Sequence, residues 1–101
     1  MGLFNLIDTA DHLPEEWKSR ILGQSGACNI KILRMNAQPY PDETHHYNEA
    51  LIVISGRLCL SVDGSTIDVS VGEMYLVPAG VPHAVLPGSY GALMIVDPIG
   101  N

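Results

Sequence analysis

The chain has 101 residues, 47% of them apolar and 16% charged, with 11 acids against 5 bases for a net charge of −6. That length covers one domain of ordinary size, and no apolar run reaches the roughly 18 residues that a membrane helix requires. The bases Lys18, Arg20, Lys31, Arg34 and Arg57 are scattered without a cluster, which argues against a nucleic-acid partner.

The opening MGLFNLIDTADH carries acids early and has neither a basic start nor a long apolar stretch, so it does not read as a signal peptide. Leu6 at the sixth position breaks the myristoylation pattern. The expected location is the cytoplasm. Cys28 and Cys59, without metal-type spacing, then read as reduced thiols that serve as small apolar strand residues. LPEEW at 13–17 predicts one helical turn capped by Asp11 or His12, with Trp17 as an apolar anchor across the core edge. Residues 18–22 predict a short edge strand, and the Gly, Gln and Ser content of 23–26 predicts a loop.

From Asn29 the chain alternates, Ile30, Ile32 and Arg34 against Lys31, Leu33 and Met35, as a strand at a barrel surface does. Pro39 and Pro41 interrupt regular pairing around Tyr40 and set Tyr40 and the ETHH segment at a barrel mouth. After Glu49 the run ALIVI is apolar on both faces, which predicts a strand buried on both sides, with a second layer or a second subunit over its outer face. A homodimer is therefore expected. Asp63-Gly64 lies between two alternating runs and predicts a hairpin, while Leu51, Val53, Leu58, Leu60 and Val62 are expected on the inner face. The strand 74–77 leads into PAGVP, whose fixed proline and permissive glycine hold His83 rigidly at the start of the next strand. Residues 92–96 form the last clear strand, and Asp97-Pro98 ends it. Short strands punctuated at intervals of roughly eight to twelve residues indicate an all-β barrel or sandwich.

Two stretches carry chemistry, PDETHHYNEALIVISG at 41–56 and GEMYLVPAGVPH at 72–83. Residues two apart in a strand face one side, so Glu43 and His45 project together, Glu49 shares their parity, and His46 points away. With His83 this makes two carboxylates and two imidazoles, a mixed set suited to one divalent transition metal such as iron, manganese, nickel or zinc. Glu49 is the hardest to explain otherwise, because an unpaired carboxylate leading into a buried strand is costly. His12, in a polar loop, reads as inert.

These residues resemble the two signature motifs of the cupin superfamily. His45, Glu49 and Gly56 fit the second half of the first motif, G(X)5HXH(X)3–4E(X)6G, and Gly72, Pro78, Gly80 and His83 fit the second, G(X)5PXG(X)2H(X)3N. The 15 residues between Gly56 and Gly72 match the short spacing of small cupins. The resemblance implies a single cupin domain over 1–101, motif core about 29–97, folded as a small double-stranded β-helix or jelly-roll barrel with a short N-terminal extension. Glu43 stands where the family's first metal histidine would be, Ala37 replaces the opening glycine and Pro87 the final asparagine. Either Glu43 ligates as an oxygen donor, or the adjacent His45 and His46 both reach the metal through irregular backbone. The resemblance implies a metal-dependent dioxygenase, decarboxylase or isomerase acting on a small organic acid or sugar-like metabolite. The alternative is a module that binds or senses a small molecule without turnover.

Overall fold

The structure is a computed structural model that describes residues 2–100. One short helix, α1 (Leu6–Asp11), precedes nine strands: β1 (Arg20–Ser25), β2 (Cys28–Asn36), β3 (Tyr40–Glu43), β4 (Glu49–Val53), β5 (Arg57–Val62), β6 (Ser65–Ser70), β7 (Met74–Val77), β8 (His83–Val85) and β9 (Tyr90–Pro98). Every pairing among them is antiparallel. β1, β2, β9, β4 and β7 lie side by side in that order, as do β6, β5, β8 and β3, and Arg57 opposite Tyr90 joins the two groups into one curled sheet.

Turn chemistry decides where the chain reverses. Asp63 and Gly64 take φ of 47° and 83°, the left-handed pair whose twist suits a two-residue hairpin, and they set Val62 opposite Ser65 between β5 and β6. The corner after β4 is tighter. A Cβ on Gly56 would lie 2.0 Å from the Tyr90 carbonyl oxygen, and one on Gly91 2.2 Å from that of Ser55. Only glycines let these two backbones cross, and the crossing seats the start of β9 against the β4–β5 turn.

Alternation then builds the core. Leu51 and Val53 of β4, Leu58, Leu60 and Val62 of β5, Leu33 and Met35 of β2 and Leu93 of β9 are all buried in one cluster. The five residues expected on the inner face are among them. On the outside of the sheet Ala10 and Leu13 cover Ile32 and Ala92 as a smaller second cluster. Arg34 fastens that cover, since its Nη1 donates to the carbonyls of Ala10 at 2.7 Å, Asp11 at 3.2 Å and Leu13 at 2.9 Å where the chain leaves α1.

Several expectations change. The helix lies at Leu6–Asp11, because the Asn5 side chain accepts from the Asp8 N–H as N-cap, and LPEEW is a turn with Trp17 at φ 62°. Residues 23–25 are strand rather than loop, since β1 keeps pairing with β2 past a register shift between Ile21 and Gly23 that takes up Leu22 as the extra residue. The outer face of β4 is only half-buried, at Ala50, Ile52 and Ile54. β9 runs past Val96 to Pro98, so Asp97 sits inside a strand. No helix among the described residues is long and apolar enough to cross a membrane.

Candidate metal centre

The two chemical stretches meet at one end of the barrel. β3 and β8 pair so that Glu43 stands opposite His83, and β5 sets Val62 opposite His83 from the other side. β4 opens with Glu49, its side chain on the same inward face as Leu51 and Val53. His45 reaches the cluster by another route than strand parity. Residues 44–48 are not strand; this link is suspended from the PAG turn, where the Gly80 N–H donates to the His45 carbonyl at 2.7 Å and the Ala79 N–H to Asn48 Oδ1 at 2.9 Å. The irregular backbone comes with Pro39 and Pro41 upstream, which limit ladder pairing of β3.

Ligand atoms of Glu43, His45 and His83 all lie within 4.8 Å of one another. His45 Nε2 is 3.1 Å from Glu43 Oε2 and 3.9 Å from Glu49 Oε2, and His83 Nε2 is 3.5 Å from Glu49 Oε1. Thus the structure brings all four candidate residues together. His46 is exposed and meets Tyr47 edge-on, outside the cluster.

The donor set fits a divalent ion. The Val81 carbonyl lies 3.1 Å from His83 Nδ1 and can only accept, so Nδ1 carries the proton and Nε2 keeps its lone pair. That Nε2 is buried without a hydrogen-bond partner among the described residues, an arrangement that is costly unless something else takes the lone pair. Nitrogen and oxygen ligands about 2.0 to 2.2 Å from an ion stand about 2.8 to 3.6 Å apart when adjacent, a range that holds the 3.1 and 3.5 Å separations, while His45 and Glu49 at 3.9 Å stand wider. Electrostatics agree. Burial pushes the Glu49 carboxyl above the usual carboxylate range, His45 and His83 pull it back, and Glu43 and Asp97 raise it again. The Tyr47 hydroxyl is raised as well, first by burial and then by Glu49, Asp97 and Glu43.

The same four residues line a half-open cavity of about 230 Å³ in the barrel. Trp17 and Tyr40 stand along it with ring centroids 5.5 Å apart, and Tyr47 stacks on His45 at 4.8 Å. Trp17 is both anchor and lining: it packs against the core, and its Nε1 donates to Asn36 Oδ1 at 2.6 Å. Two cavity residues, Lys31 and Asp97, escaped the sequence reading. The signal was present in parity, since Lys31 shares a face with Leu33 and Asp97 with Leu93 and Ile95.

A family model for the cupin domain matches residues 33–96. The fold is shared with a cupin-2 domain protein of Shewanella frigidimarina, at 24% identity and TM-score 0.86 over 95% of this chain and 94% of that one. It is shared too with a protein of Neisseria meningitidis, at 22% identity and TM-score 0.81 over 95% and 98%. A hydroquinone 1,2-dioxygenase solved with Cd2+ and 4-hydroxybenzonitrile is similar at 15% identity and TM-score 0.80, over 95% of this chain and 72% of that one. No curated protein matches the chain. With the family model spanning most of the barrel, and with β4, the PAG turn and His83 standing where its motifs require, this chain belongs to the cupin family.

Proposed function

We propose that the protein is a metal-dependent cupin enzyme that holds one divalent transition ion on Glu43, His45, Glu49 and His83 and acts on a small molecule in the adjoining cavity. The observation that carries this reading is the buried, unpartnered Nε2 of His83, aimed at a carboxylate and within reach of a second imidazole and a second carboxylate. When bound, such an ion would supply Lewis-acid polarisation of a substrate oxygen or, for a redox-active metal, dioxygen chemistry. The chain's own part is to fix the ligands. The Val81 carbonyl orients His83, the PAG turn holds His45, and the leucines make the inner wall beside the site apolar. The cupin fold also hosts a dioxygenase, which supports an oxidative reaction among the candidates.

The second reading is a binding module in which the same cavity holds a small molecule without turnover. Elemental analysis after stripping and reloading with iron, manganese, nickel and zinc, followed by oxygen uptake with a substrate panel, separates the readings. Oxygen uptake that depends on both metal and substrate supports the enzyme; failure to retain any metal sinks the site. Free Cys28 and Cys59 support a cytoplasmic location, since an oxidising compartment favours disulfides. The proposed assembly is a homodimer. Met74 and Leu76, opposite Ile52 and Ala50 on the outer face, are 57% and 50% exposed and lie beyond the cover of α1, an apolar surface for a second copy.

A further inference from the structure

The wall of the cavity formed by β2 and β9 holds an ion pair that the metal cluster does not use. Lys31 Nζ donates to Asp97 Oδ2 at 2.7 Å, and the two residues are 9% and 4% exposed. Asp97 Oδ1, the other carboxylate oxygen, is buried with no hydrogen-bond partner among the described residues, and Asp97 lines the same cavity as Glu43, His45, Glu49 and His83. The antiparallel register runs from Val53 opposite Leu93 to Ala50 opposite Val96, so the next step sets Asp97 beside Glu49. A desolvated carboxylate oxygen is costly to leave unmet, and its natural complement is a donor on whatever occupies the cavity.

Charge and shape narrow that occupant. A divalent ion on Glu43 and Glu49 balances two negative charges, and Lys31 balances Asp97, so the loaded cavity is neutral. An anionic ligand would face Asp97 without compensation, or would draw Lys31 away and strand a buried carboxylate. Leu33, Leu51, Leu58, Leu60, Leu93 and Ile95 make the inner wall apolar, and beyond the metal residues and the ion pair the lining offers polar groups from Trp17, Ser19, Tyr40 and Tyr47, too few to meet the many hydroxyls of a sugar. An apolar cavity of about 150 Å³ admits a benzene ring, so about 230 Å³ takes one ring with small substituents.

Resting on the metal-site reading for its charge balance, we propose that Asp97, held by Lys31, selects the ligand by accepting a hydroxyl at Oδ1, and that the ligand class is a neutral, single-ring phenol rather than an organic acid or a sugar. Three probes of nearly one size test this by calorimetry on the full chain, both zinc-loaded and metal-free: resorcinol, 3-methoxyphenol, which lacks the second donor, and 3-hydroxybenzoate, which is anionic. Resorcinol should bind the wild type more tightly than either of the others by roughly tenfold or more. In Lys31→Met/Asp97→Leu, which replaces the pair by apolar groups of similar volume, the preference should vanish while zinc stoichiometry is unchanged. Equal binding of resorcinol and 3-methoxyphenol, tighter binding of 3-hydroxybenzoate, no binding by any of the three at millimolar concentration, or a preference that survives in the double variant overturns the assignment. If that variant does not fold, the wild-type ordering alone decides. Failure of the metal-site reading looks different, with no zinc retained and the resorcinol preference persisting in the metal-free protein.

Discussion

Replacing Glu49 by Gln should make the metal-free protein more stable and the metal-loaded protein less stable. Glu49 is 8% exposed, and its oxygens lie 3.5 and 3.9 Å from imidazole nitrogens, beyond good hydrogen-bond length. A buried, poorly paired polar group costs about 1 to 3 kcal/mol, so removing the charge should stabilise the metal-free barrel by about that much at pH 8. The sign follows from the carboxyl, whose pKa burial raises in the folded protein above its ordinary value. An acid raised in the folded state favours folding below its unfolded pKa and loses that contribution as pH rises through the folded value, so the advantage of Gln appears above about pH 4.5 and fades below it. With metal the order should reverse. An ion at a hundredfold excess over its Kd stabilises the wild type by about 2.7 kcal/mol, which raises Tm by roughly 10 to 20 °C, and the variant gains little. Thermal unfolding from pH 4 to 8, with and without zinc, reads both effects. A Glu49→Gln protein less stable than wild type at pH 8 without metal would refute the reasoning.

Metal retention, measured by elemental analysis, should be lost in His83→Ala, weakened in Glu43→Ala and little changed in His46→Ala; the opposite ranking of Glu43 and His46 would point to the adjacent-histidine arrangement. Metal affinity in titrations should fall as pH drops, because carboxylate and imidazole ligands take up protons in competition with the ion. Gly56→Ala should destabilise by roughly 3 kcal/mol or more in denaturant unfolding, since its Cβ meets the Tyr90 carbonyl at 2.0 Å and its φ is 76°. Light scattering at micromolar concentration should give a dimer mass, and Met74→Glu/Leu76→Glu should halve it; a monomeric wild type rules out the outer-face interface.

What the sequence disclosed follows from how local each cause is. The Asp63-Gly64 hairpin, the PAG turn and the inward alternation of Leu58, Leu60 and Val62 depend on neighbours along the chain, so they were legible. Glu43, His45, Glu49 and His83 were grouped by spacing, yet the parity offered for His45 was the wrong cause, because two hydrogen bonds from the PAG turn set its position. Parity along each strand puts Lys31 and Asp97 on the inner face, but their pairing with each other exists only once β2 and β9 lie side by side. The helix was misplaced because six residues are too few to show a period, and its stability comes from Asn5 and Arg34 rather than from its own pattern.

The central place of β9 has a consequence in time. Of the nine strands it is the last along the chain, yet it must slot between β2 and β4, with Lys31 and Asp97 66 residues apart. Until it arrives, two inner strands are bare edges able to pair with other chains, so the protein is most prone to aggregate during synthesis and early refolding. Such distant pairing makes the final closure slow. All four candidate metal residues, by contrast, lie between 43 and 83 and exist as a set before β9 does. An ion gathered by β3, β4 and β8 at that stage would hold the open half together while it waits for its closing strand.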